Sequence, residues 1–217
     1  RSMMHSGFVT LVGRPNVGKS SLVNAMCGEK VSIVSDKPQT TRHRVMGVHT
    51  TEGSQIVFVD TPGLHKPVTA LGERVNATAL DSLNDVDLVC LVIDATKAFG
   101  SGDQWVARHV DMSQAIVVVN KIDRVKPDQL IAQLTAAATL GAAEYFPVSA
   151  RTGKGIPELL AFIGSRLPEG PQYFPDDVVR DVPEEQWVAE LVREQLLAVT
   201  RDELPYSIAT RVSEWDW

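Results

Sequence analysis

The run Gly13-Arg14-Pro15-Asn16-Val17-Gly18-Lys19-Ser20 has the composition and spacing of a loop that holds phosphate. Glycines at both ends let the backbone curl so that N–H groups converge on phosphate oxygens. Lys19 neutralises charge at the β and γ positions, and the Ser20 hydroxyl can ligate Mg²⁺. Asn16, Val17, Gly18, Lys19, Ser20 and Ser21 are therefore the candidate phosphate contacts. The plain alternative is a glycine-rich turn before an ordinary helix, which does not account for the full spacing with its apolar flanks.

A second group, Asp60-Thr61-Pro62-Gly63, comes after the apolar stretch 55–59. A carboxylate there stands at the carboxyl edge of a strand, where α/β proteins bind ligands, so Asp60 is a candidate to hold Mg²⁺. The Gly63 N–H can meet a γ-phosphate, a contact that vanishes when that group leaves and so releases the adjoining loop. Taken alone the four residues are an ordinary turn; their position relative to the phosphate loop gives them weight.

A third group, Asn120-Lys121-Ile122-Asp123, comes after the buried run 116–119. An aspartate can accept from both N1–H and the exocyclic N2 amine of guanine, whereas adenine presents an unprotonated N1 and no amine there; Asp123 thus selects guanine. Asn120 would tie this loop to the phosphate loop or the base edge, and the Lys121 stem would cover the purine face. In Ser149-Ala150-Arg151, the Ala150 N–H is a candidate donor to guanine O6.

These groups need strand ends to hold them. Nearly continuous apolar runs at 8–12, 57–59, 88–93 and 116–119 suit strands buried on both faces, and 143–148 reads as the last of them. Between them, 19–26, 71–83, 103–110, 128–140 and 156–166 read as helices. Glu52-Gly53 between the extended stretches 45–50 and 55–59 predicts a hairpin, hence one antiparallel edge on a parallel sheet. The pattern predicts a three-layer α/β domain with a mixed, mostly parallel six-stranded sheet over residues 7–168, ended by the punctuators 167–171. A linker is expected at 169–182. From Pro183 a helix with Trp187, Leu191 and Leu196 on its apolar face is expected, then a strand at 208–213; together they are too small for a core, so the chain is expected to stop inside a second domain.

Composition excludes several classes. Hydrophobic residues make up 44% and charged residues 22% of the 217, which rules out a disordered or collagenous chain. No apolar run approaches the roughly 20 residues of a membrane-spanning helix, and 1–7 lacks a signal-peptide core, so a cytoplasmic location is expected. Cys27 and Cys90 read as buried free thiols. Net charge is −6, but residues 171–217 hold four Arg against eleven acidic side chains, a poor surface for nucleic acid.

In order, and each at a strand end, the three groups resemble the translation-factor-related class of GTPases. Lys37-Pro38-Gln39-Thr40-Thr41-Arg42-His43-Arg44, the extension of the second group through Leu64-His65-Lys66-Pro67, and Leu204-Pro205-Tyr206-Ser207 narrow the resemblance to the bacterial Era family over nearly the whole chain. The resemblance implies a P-loop GTPase domain that binds GTP or GDP with Mg²⁺ and hydrolyses GTP. It implies catalytic roles for Asn16, Lys19, Thr41 and Gly63, with Ser20, Thr41 and Asp60 on the metal. It further implies an RNA-binding KH domain, 16S ribosomal RNA and the 30S subunit as partners, assistance to ribosome assembly, peripheral membrane contact and a monomer. Residues 183–217 hold no Gly-x-x-Gly loop, through which KH domains clamp RNA, so this chain is expected to keep nucleotide binding and lose most RNA affinity.

Leu64 comes after Gly63 where Ras-like enzymes carry a Gln that orients the attacking water; slow intrinsic turnover, on the order of 10⁻⁴ s⁻¹ on the Ras scale, is expected. The Asn16 amide oxygen can help ligate K⁺ across the phosphates, as in potassium-stimulated GTPases with a similar loop. Arg42 or Arg44 is the competing source of positive charge. Rival readings are a nucleotide-sensing scaffold with negligible hydrolysis and an ATP-using enzyme. His43, His49, His65 and His109 show no paired ligand spacing and are expected at the surface, and Trp187, Trp215 and Trp217 have no base-stacking context.

Overall fold

A computed structural model describes residues 4–28, 44–60 and 83–176. All but the last residue of the expected helix at 71–83, the strand at 208–213 and the whole segment 183–217 lie outside the described residues. So do Arg42, His43, Leu64, His65 and the three tryptophans beyond 176.

The strands are β1 (Met4–Val12), β2 (Val45–Thr50), β3 (Ser54–Val59), β4 (Leu88–Asp94), β5 (Ile116–Asn120), β6 (Glu144–Pro147) and β7 (Glu169–Gly170). The helices are α1 (Lys19–Cys27), α2 (Ser101–Ala107), α3 (Pro127–Ala138) and α4 (Ile156–Arg166). The sheet runs β2-β3-β1-β4-β5-β6, with β2 antiparallel to β3 and the other pairs on this path parallel. The hairpin expected at Glu52-Gly53 joins β2 and β3.

The apolar runs are continuous because alternate residues face different helices. Cys90, Val92, Ile116 and Val118 join Leu22, Val23 and Met26 of α1 and Leu159 and Ile163 of α4 in one buried cluster. Their neighbours Leu91, Ile93, Val117 and Val119 join Trp105 and Val106 of α2 and Ala137 of α3 in another. Those two clusters make the three layers. Cys90 is buried, and burial pushes its thiol pKa up; Cys27 is only half-buried, and neither forms a disulfide among the described residues.

Helix boundaries shift for identifiable reasons. α2 begins at Ser101, two residues before the expected start, because Asp103 reaches back and accepts from the Gly100 N–H at 3.0 Å. α3 begins on Pro127, whose missing N–H costs nothing at a first helical position, and ends two residues before the expected Leu140.

Among the described residues the sheet has seven strands, one more than expected. β1 extends beyond the start of β4, leaving its edge uncovered at Met4 and His5; β7 pairs antiparallel with those residues. Between the two partners, Asp87 Oδ2 accepts from the Phe8 N–H at 2.7 Å. Met4, His5 and Ser6, outside the expected domain start at residue 7, are thus part of β1. The punctuators at 167–171 turn the chain without releasing it: His5 Nδ1 lies 2.8 Å from the Leu167 carbonyl, and Ser6 Oγ donates to the Pro171 carbonyl at 2.7 Å. Tyr173 and Phe174 are held by the Gln55 side chain of β3, and Phe174 is buried with Phe8, Val48 and Val57 in a third cluster.

Candidate nucleotide-binding site

The phosphate loop leaves β1 at Gly13 and enters α1 at Lys19, as the motif requires. A Cβ on Gly13 would stand 2.6 Å from the Val92 carbonyl of β4, so only glycine fits there. Gly18 caps α1 at φ 97°, a left-handed conformation that costs glycine little. A helix start supplies no carbonyl partners for its own first N–H groups, which is why it suits phosphate. Ser20 and Ser21 lie in that first turn. Lys19 Nζ arches over the loop and donates to the carbonyls of Gly13 and Arg14, each at 2.9 Å. Outside the loop, Arg14 Nε lies 3.8 Å from Asp103 Oδ1 at the start of α2.

Asp60 stands one residue beyond Val59, which pairs with Thr10 of β1, and so leaves the sheet beside the strand that carries the phosphate loop. Its N–H donates to the Arg44 carbonyl at 2.9 Å. Ser20 and Asp60 offer oxygen donors, the chemistry Mg²⁺ takes. Thr41 and Gly63 lie outside the described residues, and among those described no cluster of three His, Cys, Asp or Glu side chains could by itself hold a metal.

Asn120 ends β5, buried at 2% exposure. Its Nδ2 donates to the Val17 carbonyl at 3.0 Å and its Oδ1 accepts from the Ala150 N–H at 3.1 Å. One amide therefore connects all three of phosphate loop, base loop and the 149–151 turn. The Ala150 N–H, expected to face guanine O6, is engaged by Asn120 and would have to be shared with the base. Asp123 Oδ1 accepts from the Ser149 hydroxyl at 2.8 Å, and its Oδ2 lies 4.0 Å from Arg151, an exposed side chain. A carboxylate has lone pairs for further donors, so both oxygens keep capacity for a base edge.

Lys121, whose stem is expected to cover a purine face, makes two bonds through its ammonium. Its ammonium donates to the Asn16 carbonyl at 2.8 Å and to Asp94 Oδ2 at 2.9 Å. Asp94, at the end of β4, joins this cluster although the apolar run 88–93 alone does not include it. A signal for it exists in the sequence: an aspartate after a buried apolar run, two residues before Thr96, repeats the placement of Asp60. Burial raises the Asp94 pKa, but bonds from the Thr96 hydroxyl and the Lys121 ammonium outweigh it and hold the carboxyl below its usual range.

Two histidines depart from expectation. His109 stacks on Trp105 with ring centroids 4.5 Å apart and its Nδ1 is 2.7 Å from the Trp105 carbonyl. His49 of β2 is half-buried, and burial lowers its pKa while a bond to the Met26 carbonyl of α1 raises it.

The comparisons agree with this arrangement. The family model described as a 50S ribosome-binding GTPase matches residues 8–121. GTPase Era of Mycobacterium tuberculosis is 46% identical over an alignment covering 97% of this chain and 72% of that protein. A crystal structure of Era in complex with MgGDPNP and nucleotides 1506–1542 of 16S ribosomal RNA superposes at TM-score 0.72 with 38% identity, covering 97% of this chain and 73% of that one. Aquifex aeolicus Era bound to GDP and AlF4⁻ gives 0.71 at the same identity and coverage. With 46% identity over 97% of this chain and 72% of a GTPase Era, and with Asn120 tying the loop at Val17 to the turn at Ala150 on a sheet that superposes on theirs, this chain belongs to the Era family of GTPases.

Proposed function

We propose that this chain is a GTP-driven switch in which residues 4–174 bind and hydrolyse GTP and 183–217 open a KH-like domain; β7 and the packed Phe174 take the first part of the expected linker 169–182 into the GTP-binding domain. The observation that carries the reading is the pair of bonds from Asn120 to Val17 and Ala150, with Asp123 oriented by Ser149 alongside. They fix the Asp123 carboxylate relative to the loop 13–20, and in this reading base and polyphosphate are recognised together.

In this reading the loop N–H groups of 16–21 grip the phosphates. Lys19 turns from the Gly13 and Arg14 carbonyls to the β and γ oxygens, and Ser20, Asp60 and Thr41 hold Mg²⁺. The metal, when bound, neutralises charge on the β and γ oxygens. Gly63 senses the γ-phosphate by its N–H. Asn120, Lys121, Asp123, Ser149, Ala150 and Arg151 frame the base. Because Leu64 cannot orient water, the Asn16 amide oxygen would help hold a K⁺ ion, which would supply positive charge at the phosphates.

The partners proposed are 16S ribosomal RNA and the 30S subunit, during whose assembly the switch acts. A relative crystallised with nucleotides 1506–1542 of that RNA supports this. We assign the protein to the cytoplasm as a monomer with peripheral membrane contact. Among the described residues no helix is long and apolar enough to cross a bilayer.

Competition of GTP, GDP and ATP for the purified chain, then single-turnover hydrolysis in K⁺ and in Na⁺, tests the reading. Guanine nucleotides should displace adenine nucleotides at least a hundredfold better, with faster hydrolysis in K⁺. Equal affinity for the two bases would sink the site, and equal rates in the two salts would remove the K⁺ role alone.

A further inference from the structure

We infer that Asp94 is a positioning residue for nucleotide binding: its carboxylate holds the Lys121 ammonium against the Asn16 carbonyl and so joins the base loop to the phosphate loop. The inference deepens the proposed GTP-binding function and rests on it.

The topology puts Asp94 where such a link can be made. β4 lies between β1, which feeds the phosphate loop, and β5, which feeds the base loop, and Asp94 pairs in register with Asn120. A side chain at that strand end reaches both sides. Asp94 is 5% exposed, so water competes little for its oxygens. Its Oδ1 accepts from the Thr96 N–H at 2.8 Å and the Thr96 hydroxyl at 2.6 Å, which fixes the carboxylate plane. Oδ2 is thereby aimed at Lys121 Nζ at 2.9 Å.

The object being positioned is unusual. Among the described residues only Asn16 and Lys121 are non-glycine residues with positive φ, at 68° and 70°. Such backbone persists only where its surroundings over-determine it. The bond from Lys121 Nζ to the Asn16 carbonyl, 2.8 Å, ties these two strained residues to each other. Asp94 is the group that holds the ammonium in place for that bond. A buried ion pair is by itself weak evidence for stability, because desolvation offsets the attraction. Here the pair spans two ligand-binding loops, and its consequence is the relative position of base and phosphate contacts.

The test uses the full 217-residue chain and a fluorescent GDP, with equilibrium affinity and dissociation rate measured for Asp94→Asn, Lys121→Met, their combination, and the milder Thr96→Val. Expected are at least tenfold weaker binding in Asp94→Asn, mostly through faster dissociation, and a smaller loss in the same direction in Thr96→Val. In the Lys121→Met background, Asp94→Asn should add less than a twofold further loss. Affinity for Asp94→Asn and Thr96→Val within twofold of the parent chain, or losses that multiply in the double variant, would overturn the inference. Circular dichroism identifies an unfolded Asp94→Asn chain, in which case Thr96→Val, alone and with Lys121→Met, decides by the same criteria. A parent chain that fails to prefer GDP to ADP overturns the proposed function and this inference with it. Retained preference with unaffected variants overturns the inference only.

Discussion

The Ser149 hydroxyl donates to Asp123 Oδ1 at 2.8 Å, and Ser149 is fully buried. The same hydroxyl oxygen accepts from the Thr152 N–H at 3.1 Å, so the hydroxyl proton is directed at the carboxylate. The Asp123 carboxylate thus has its orientation set by the fold before any ligand reaches it.

Asp123→Asn should exchange preference from guanine to xanthine nucleotide, because an amide presents a donor where guanine also presents one and xanthine presents a carbonyl. Loss of GDP affinity of about a hundredfold or more is expected, as for sites whose buried polar groups are left mismatched. Ser149→Ala should keep the preference for guanine while weakening binding by about 1 kcal/mol, the net worth of one hydrogen bond. Competition between GDP and XDP checks both, and an unchanged choice in Asp123→Asn would misplace the base pocket.

Gly13→Ala should cost both folding and binding. The added methyl would lie 2.6 Å from the Val92 carbonyl, backbone of a central strand that cannot yield. Overpacking of this kind costs about 1–3 kcal/mol. Denaturant unfolding should show the loss without nucleotide, and GDP should recover less stability than in the parent chain.

Gln55 is a separate site for prediction, remote from the phosphate loop in sequence. Fully buried, it donates to Thr50 Oγ1 at 3.0 Å and to the Phe174 carbonyl at 2.8 Å, and accepts from the N–H groups of Tyr173 and Phe174 at 2.8 and 3.1 Å. Gln55→Leu would leave three backbone groups of 173–174 without these partners, at about 1–3 kcal/mol each if they stay buried. The segment should instead open. Amide hydrogen exchange at Tyr173 and Phe174 should accelerate at least tenfold while α1 and β5 stay protected; unchanged exchange would show that Phe174 packing alone holds the segment.

His49 gives a pH dependence. Its folded-state pKa is lowered, so the unfolded chain binds the proton more tightly, near the ordinary value of about 6.5. Its contribution to stability is complete above that value and is lost as pH falls through the lower folded-state pKa. The melting temperature should therefore fall between pH 7 and 5 more steeply in the parent chain than in His49→Gln. Parallel curves would show that the ring is protonated as easily in the folded as in the unfolded state.

Much of the site was legible from residue order alone. Gly13 to Ser20, Asp60 and Asn120 to Asp123 come directly after buried apolar runs, and parallel strands deliver the residues at their carboxyl ends to one edge of the sheet. Helix starts were less legible, since Asp103 acts by reaching back to Gly100, a bond between neighbours that hydrophobic period does not record.

What the sequence by itself determined is the set of local chemistries: a curled glycine loop, an aspartate suited to guanine, buried strands and a hairpin at Glu52-Gly53. These depend on neighbours a few residues away. Only the tertiary structure decided which distant groups meet. Lys121 finds Asn16 and Asp94, Asn120 finds Val17 and Ala150, and Gln55 finds Phe174, 119 positions away, because strand order brings distant residues together. The physical reason is that a hydrogen bond acts over about 3 Å in space and is indifferent to separation along the chain.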